Sequence, residues 1–364
     1  MVKDQFGYVS QNSTPHDTCS AVAAVLLLRT TLTIASSSRP HLLLDSRNMS
    51  SSRNIQGHSI DIKRLRLQDI AQDTIEAIED GYVDFPDSNR LLNRHSIRQS
   101  IADTERGTKY FEPNSPYLQY WRQGPPLHVT AERHGSQSGV AVRILKMSTL
   151  EGTHYLSQTY PASEIGVLNF ASATKPGGGF KNGASAQEES IARSSTLYRS
   201  LRSRQATPFY ELHVRDNKGG FYSHAMIFSP SVAIFRNDRG DWLCPYHVHV
   251  VTSPAVNAGL VRRLRYGRWP DTERRILSVM TERMGRILAL FEQSGTRNLV
   301  LGSFGTGVFQ NDVGSLAKIW RELLGPGARF ANSFDKVIFA IPDSHTLRKF
   351  EMGFNDEAIP PPRM

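Results

Sequence analysis

From Ile60 to Gly81 the apolar residues Leu67, Ile70, Ala71, Thr74, Ile75 and Ile78 recur at helical spacing, and Gly81 is placed to stop the helix. Residues 82–125 break that rhythm into irregular polar and aromatic segments ending at "GPP". After Pro126 the pattern alternates between short apolar runs and amphipathic stretches. "SGVAVRILKM" predicts a strand, and "STLEGTHYLSQTY" a helix capped by Ser148 with Glu151 at the capping-box position. "EIGVLNFAS" predicts a strand, followed by a glycine loop and a helix from about Ala186 to Leu201. "HAMIFSPSVAIFRND" predicts strands interrupted at Pro230, and "YHVHVVTSPAV" another strand. A long helix, "DTERRILSVMTERMGRILALFEQSG", then precedes the strand "NLVLGSF", the helix "DVGSLAKIWRELLG" and a closing strand, "FDKVIFAIPD".

Strands written as continuous apolar runs and alternating with helices imply an α/β sandwich with a largely parallel central sheet. The expected organisation is a disordered or targeting tail over 1–56, a helical accessory region over 57–125, a catalytic α/β domain over 126–350 and a tail over 351–364. Residues 1–56 are rich in Ser, Thr and Arg, and from Cys19 onward only Asp45 among them is acidic. That composition fits a mitochondrial transit peptide, a disordered tail, or an extension ahead of a start at Met49; Asp4 and Asp17 weigh against the first.

The chain of 364 residues carries a formal charge of +9, which favours anionic partners such as nucleotides, polyphosphates or nucleic acid. The excess is spread along the chain, so a weak attraction for nucleic acid is the most it implies. Its two cysteines, Cys19 and Cys244, exclude a disulfide framework and point to an intracellular protein. Cytoplasm or nucleus is favoured, with the mitochondrion left open by the N-terminal segment. No apolar run reaches the roughly 18 residues of a membrane span, so no membrane association is expected.

Ligands of such sheets bind at the carboxyl ends of the strands. Two glycine-rich loops fall there, "ASATKPGGGFKNGASA" and "GSFGTGVFQND", each leading into a helix. Backbone N–H groups and a helix N-terminus can then face one anion, and two such loops on one sheet edge suit a diphosphate. Neither loop is a Walker A or a GxGxxG turn. Glu188 and Glu189 follow the first loop. Neighbours on a helix point about 100° apart, so the two carboxylates cannot do the same job. A carboxyl held protonated beside a bound phosphate is what glycosidic cleavage requires of a general acid. "CPYHVHVV" places Cys244, His247 and His249 in a C-x₂-H-x-H set, but three ligands on one strand rarely converge. No metal and no cofactor are expected.

"GGG", seven residues, then "QEE" resembles the signature of the microbial-type poly(ADP-ribose) glycohydrolases, a branch of the macrodomain superfamily. The flanking "VLNFAS", "PGGGF", "VTSPA" and "GVFQND" are similar to that family too, and the likeness runs from about Gln68 to Asp343. The resemblance implies a macrodomain-like three-layer α/β/α sandwich with an N-terminal helical extension. It implies that Glu189 is the catalytic acid and that Glu188 orients ribose and substrate hydroxyls. Gly177, Gly178 and Gly179 would contact the diphosphate and distal ribose, with Asn169 holding that ribose and Gln187 also facing substrate. Gly305, Thr306, Gly307 and Val308 would supply backbone donors to phosphate, and Phe309 would pack on a ligand ribose. The implied partners are ADP-ribose polymer or ADP-ribosylated protein, with ADP-ribose as product. Three functions stay open at this stage: a hydrolase of the polymer's ribose–ribose bonds, a hydrolase of single ADP-ribose units on protein or nucleic acid, and a non-catalytic ADP-ribose reader.

Overall fold

The computed structural model describes residues 52–123, 139–264 and 270–355. The chain divides into two units, residues 1–66 and 67–364. Helix α1 (Ser52–Asp80) is common to both in sequence, and it is all that is described of the first. The tail expected over 1–56 therefore lies outside the described residues except for 52–56, which are helical rather than disordered. At its far end α1 stops at Gly81, as expected. Gly81 takes a φ of 78°, donates its N–H to Ala77 O, and has no room for a Cβ against Arg98.

Residues 82–123 are more regular than their pattern suggests. Strands β1 (Tyr82–Pro86) and β2 (Leu92–Ser96) form an antiparallel hairpin. Helix α2 (Arg98–Gly107), strand β3 (Lys109–Phe111) and the short helix α3 (Pro116–Gln119) follow. The division expected at residue 126 is corrected here. β3 is an edge strand of the main sheet, so the first part of that sheet comes from the segment expected to be accessory. Three residues are too few to display a period, which is why β3 is invisible in the pattern.

The remaining elements, in order, are β4 (Ala141–Leu145), α4 (Thr149–Ser157), β5 (Ile165–Phe170), α5 (Gln187–Ser194), α6 (Leu197–Leu201) and α7 (Thr207–Arg215). Then come β6 (Met226–Arg236), β7 (Trp242–Ser253), α8 (Ala258–Arg263) and α9 (Thr272–Gln293). The chain continues through β8 (Asn298–Leu301), α10 (Val313–Leu324), β9 (Lys336–Ala340) and α11 (Ser344–Asn355). The seven-stranded sheet has the order β3-β6-β7-β5-β8-β9-β4. The five strands from β7 to β4 run parallel, while β6 pairs antiparallel with β7 and β3 antiparallel with β6. This mixed, largely parallel sheet with helices on both faces is the expected macrodomain-like α/β sandwich.

Three local departures have physical causes. The single helix expected from Ala186 to Leu201 breaks at Ser195, which turns extended and bridges to Ile234 of β6. Ser195 Oγ donates to Ile191 O and accepts from Leu197 N, so the serine side chain replaces the helical hydrogen bonds lost at the break. β6 is not cut at Pro230; it passes through it with a register shift between Ser229 and Val232, where Ser231 adopts a φ of 51°. The segment expected to be a tail from 351 is helical to Asn355, because Phe350 of α11 is fully buried and stacks with Phe354.

The strand faces sort the layers. Val167, Val250, Val300 and Ile338 pack with Leu150, Leu156 and Ile191 of α4 and α5 on one face. On the other, a Cβ at Gly166 would lie 2.7 Å from the Phe291 ring of α9, so the residue's smallness lets α9 sit directly on the sheet. Each of these buried aliphatic or aromatic side chains contributes roughly 1.5–3 kcal/mol. At the entry to α4, Ser148 and Glu151 form the predicted capping box. The core leaves the carboxyl ends of β7, β5 and β8 side by side, and the site is built there.

Candidate active site

β5 pairs with β8 only as far as Val167, whereas its pairing with β7 continues to Phe170. The sheet therefore splits between β5 and β8 at their carboxyl ends, leaving Leu168 O and Phe170 N of β5 without a strand partner on that side. Gln187 fills the split. Its Nε2 donates to Leu168 O (2.7 Å) and Thr149 Oγ1 (3.3 Å), and its Oε1 accepts from Phe170 N (2.9 Å). Gln187 was expected to face substrate; its amide instead ties the first turn of α5 to the strand end.

With α5 fixed in this way, Glu188 points into the protein and Glu189 stands at its edge. Glu188 is only 2 % exposed. Its Oε2 accepts from Ser172 N (2.6 Å) and its Oε1 from Asn169 Nδ2 (3.3 Å). Glu189 is half-buried, and its Oε1 accepts from Gly179 N (2.9 Å). Both carboxylates converge on the glycine loop. A Cβ built on Gly178 would lie 2.3 Å from Glu189 Oε1 and 3.1 Å from Glu188 Oε2, and Gly177 and Gly178 both have positive φ, 69° and 60°. Side chains are excluded here twice over, by sterics and by backbone conformation. The expected reason for the glycines was contact with a diphosphate. The neighbours this structure gives them are the glutamates themselves, since Gly178 N donates to Lys175 O and Gly179 N to Glu189.

Burial pushes the Glu188 carboxyl up to about 8, with the nearby Glu189 charge adding to the shift and the Ser172 N–H and Asn169 amide opposing it. The raised group is thus the inner glutamate, Glu188. Linkage gives the sign of its effect on stability. The folded protein holds a proton that the unfolded chain releases near its ordinary value of 4.5. The stability contributed by neutral Glu188 is full below that value, and it is lost as pH rises toward about 8. Wild-type melting temperature should therefore decline from pH 5 to 8 relative to Glu188→Gln, whose side chain never ionises. Parallel melting curves across that range would mean that Glu188 is ionised in the folded protein.

Asn169 is fully buried, donates to Glu188 and Thr252 Oγ1 (3.2 Å), and leaves its Oδ1 with no partner. It is held to Glu188 as much as it is offered to any ligand.

The second loop runs from β8 to α10. Phe304 is buried and lies 5.5 Å from the Phe170 ring, which joins the two loops at their base. Gly305 has a φ of 77°, and a Cβ there would lie 2.3 Å from Ala255 Cβ in the loop after β7. Asn311 spans the loop, its Nδ2 donating to Gly305 O (2.9 Å) and Val256 O (2.7 Å). Of the four expected backbone donors, Thr306 N is spent on Ser303 O inside the turn. Among the described residues, the N–H groups of Gly305, Gly307 and Val308 have no acceptor within the chain. Gly307 faces open space and Val308 is 81 % exposed. Phe309 is half-buried, its ring 6.0 Å from that of Tyr222.

The Cys244, His247 and His249 set has other partners. His247 Nε2 shares a hydrogen bond with Ser100 Oγ (2.7 Å), and His249 Nδ1 accepts from Ser231 N (3.1 Å) at the β6 register shift. Among the described residues, no group of three His, Cys, Asp or Glu side chains is placed to hold a metal ion. Among the described residues, two cavities of about 530 and 460 Å³ lie elsewhere, near Trp242 and beside α11.

Sequence reasoning missed Ser172, Asn311, Tyr222 and Ala255. Ser172, Asn311 and Ala255 fall inside the quoted "VLNFAS", "GVFQND" and "VTSPA", but Tyr222 carries no signal of its own, because its part depends on which loops the sheet brings together.

Residues 71–237 match the family model for the catalytic domain of microbial-type PARG. No curated protein matches the chain. Among solved structures, the chain is similar to the poly(ADP-ribose) glycohydrolase of Thermomonospora curvata, at 34% identity and a TM-score of 0.69, over 80% of this chain and 99% of that one. The same Thermomonospora curvata enzyme bound to the inhibitor ADP-HPD matches with a TM-score of 0.68 at 34% identity, over 80% and 99% of the two chains. The poly(ADP-ribose) glycohydrolase of Deinococcus radiodurans in complex with ADP-ribose matches at 33% identity and a TM-score of 0.60, over 71% of this chain and 98% of that one.

Proposed function

The chain belongs to the microbial-type poly(ADP-ribose) glycohydrolase family, and we propose that it hydrolyses the ribose–ribose O-glycosidic bonds of poly(ADP-ribose) to release ADP-ribose, with Glu189 as general acid. The observation that carries this reading is the convergence of Glu188 and Glu189 on the Gly178 backbone, beside a second loop whose Gly305, Gly307 and Val308 amides are unspent.

In this reading the diphosphate lies on the N–H groups of Gly305, Gly307 and Val308, and Phe309 packs on a ribose. The adjoining sugar then reaches the glutamates at the end of β5. Glu189, at the edge of the site, gives its proton to the leaving ribose oxygen as the glycosidic bond breaks. It then takes a proton from the water that adds to the oxocarbenium-like carbon, which restores the acid. The diphosphate stabilises the developing cation, and this is the reason for placing phosphate loop and acid together. Glu188, protonated near neutral pH by its burial, adds no negative charge beside the diphosphate and orients the sugar together with Asn169.

The test is incubation with defined poly- and mono-ADP-ribosylated proteins, with the products separated by size. Free ADP-ribose released from polymer is the expected result. Untouched polymer alongside release from the mono-modified substrate would make this a hydrolase of single units. Binding of ADP-ribose without any product would make it a reader.

A further inference from the structure

Helix α9 carries Arg283 at a position with no exposed surface at all. No carboxylate among the described residues pairs with it. Its guanidinium Nη1 donates to Pro254 O (2.9 Å), and its Nη2 to Phe221 O (2.9 Å) and Tyr222 O (3.4 Å), while Nε has no partner. A buried cation satisfied only by carbonyl dipoles is costly, and an apolar side chain would fill the same space more cheaply for stability alone. Burial first, then the neighbouring Arg286, pull its pKa down to about 9, so it still carries its charge at neutral pH.

The carbonyls it holds belong to two turns that form one wall of the second glycine loop. Pro254 immediately precedes Ala255, the residue against which Gly305 closes. Tyr222, in a left-handed conformation with a φ of 55°, presents its ring to Phe309. The two turns also meet directly, since Asn257 N donates to Gly220 O (2.8 Å). One planar fork on a rigid helix thus fixes both turns at once. A lysine cannot do this, because its single nitrogen lacks the spread of two guanidinium nitrogens.

We propose that Arg283 is a positioning residue for substrate binding: by clamping the Pro254 and Phe221–Tyr222 turns, it sets the wall that the Gly305–Phe309 loop needs in order to hold the diphosphate and ribose. The inference rests on the glycohydrolase reading above. Because Glu188 and Glu189 are held from β5 and α5, and the hydrogen bonds of Arg283 go to other segments, the chemical step should be spared.

The experiment measures hydrolysis of poly(ADP-ribose) and calorimetric binding of ADP-ribose for wild type, Arg283→Met and Arg283→Lys, each first confirmed as folded by circular dichroism. Arg283→Met should raise KM and the ADP-ribose Kd at least tenfold, with kcat within about threefold of wild type. Arg283→Lys, which keeps the charge and one carbonyl contact, should give a smaller rise of about threefold to fivefold. A merely structural residue would behave otherwise, since a partly unfolded preparation loses kcat while its active fraction keeps the wild-type KM. Should the methionine variant not fold, the lysine variant carries the test alone. Wild-type KM and Kd in a folded variant would overturn the inference, as would a loss confined to kcat. Wild-type protein that neither hydrolyses polymer nor binds ADP-ribose would instead sink the glycohydrolase reading itself.

Discussion

Glu189→Gln should lower turnover of poly(ADP-ribose) by ~10²–10⁴-fold, the range expected for loss of a general acid, while ADP-ribose affinity stays within about threefold of wild type. The substitution is nearly isosteric and keeps a side-chain oxygen to accept from Gly179 N, so the loop has no cause to move. What it removes is the proton. Glu188→Gln should behave differently, raising KM and lowering kcat together, because Glu188 is tied to Asn169 and Ser172 and acts by placing the sugar. Single-turnover rates with melting curves for both variants separate the two roles. Wild-type-like hydrolysis by folded Glu189→Gln protein would falsify the assignment of the acid, and an equal loss in binding and turnover would make Glu189 a second orienting group.

The contrast between the two glutamates shows what a sequence discloses and what it withholds. Their adjacency, the glycines before them and the helix they open are all legible, because these are local features. That one is 2 % exposed and pushed up to about 8 is not, because the burial that raises it is produced by elements distant in sequence that folding packs around the start of α5. The same boundary runs through Gln187. Its place in "QEE" is plain, yet its work depends on the early end of β5–β8 pairing, a property of two strands more than 100 residues apart.

At the level of the fold, α1, α9 and α10 and the parallel strands were legible, since each carries a long periodic or continuous apolar run. β3 was not, being three residues long, and neither was the break at Ser195, which a partner strand imposes on a sequence that could continue as helix. The register shift at Ser231 belongs to the same class. Pro230 suggests an interruption, whereas the neighbouring β7 supplies His249 to satisfy the displaced N–H and keeps the strand whole.

Gly305→Glu should abolish measurable ADP-ribose binding, and hydrolysis with it, in a protein that still folds. Three effects act in the same direction. A φ of 77° is strained for any residue with a side chain, typically by about 1–2 kcal/mol. A Cβ would overlap Ala255 Cβ at 2.3 Å and crowd Asn311 Nδ2 at 2.9 Å, so the loop must shift away from the wall formed after β7. The new carboxylate would stand beside amides that face an anionic diphosphate, and like charge there is repulsive. Gly305→Ala separates these causes, as it keeps the strain and the overlap without the charge. It should weaken ADP-ribose by about tenfold to a hundredfold rather than eliminate it. The strain lies in an exposed loop between β8 and α10, so the melting temperature should fall by only a few degrees for either variant. Calorimetry showing unaltered affinity in folded Gly305→Glu protein would place the diphosphate elsewhere on the sheet edge. The acid at Glu189 would then have no reason to adjoin this loop, and the two halves of the site would have to be assigned separately.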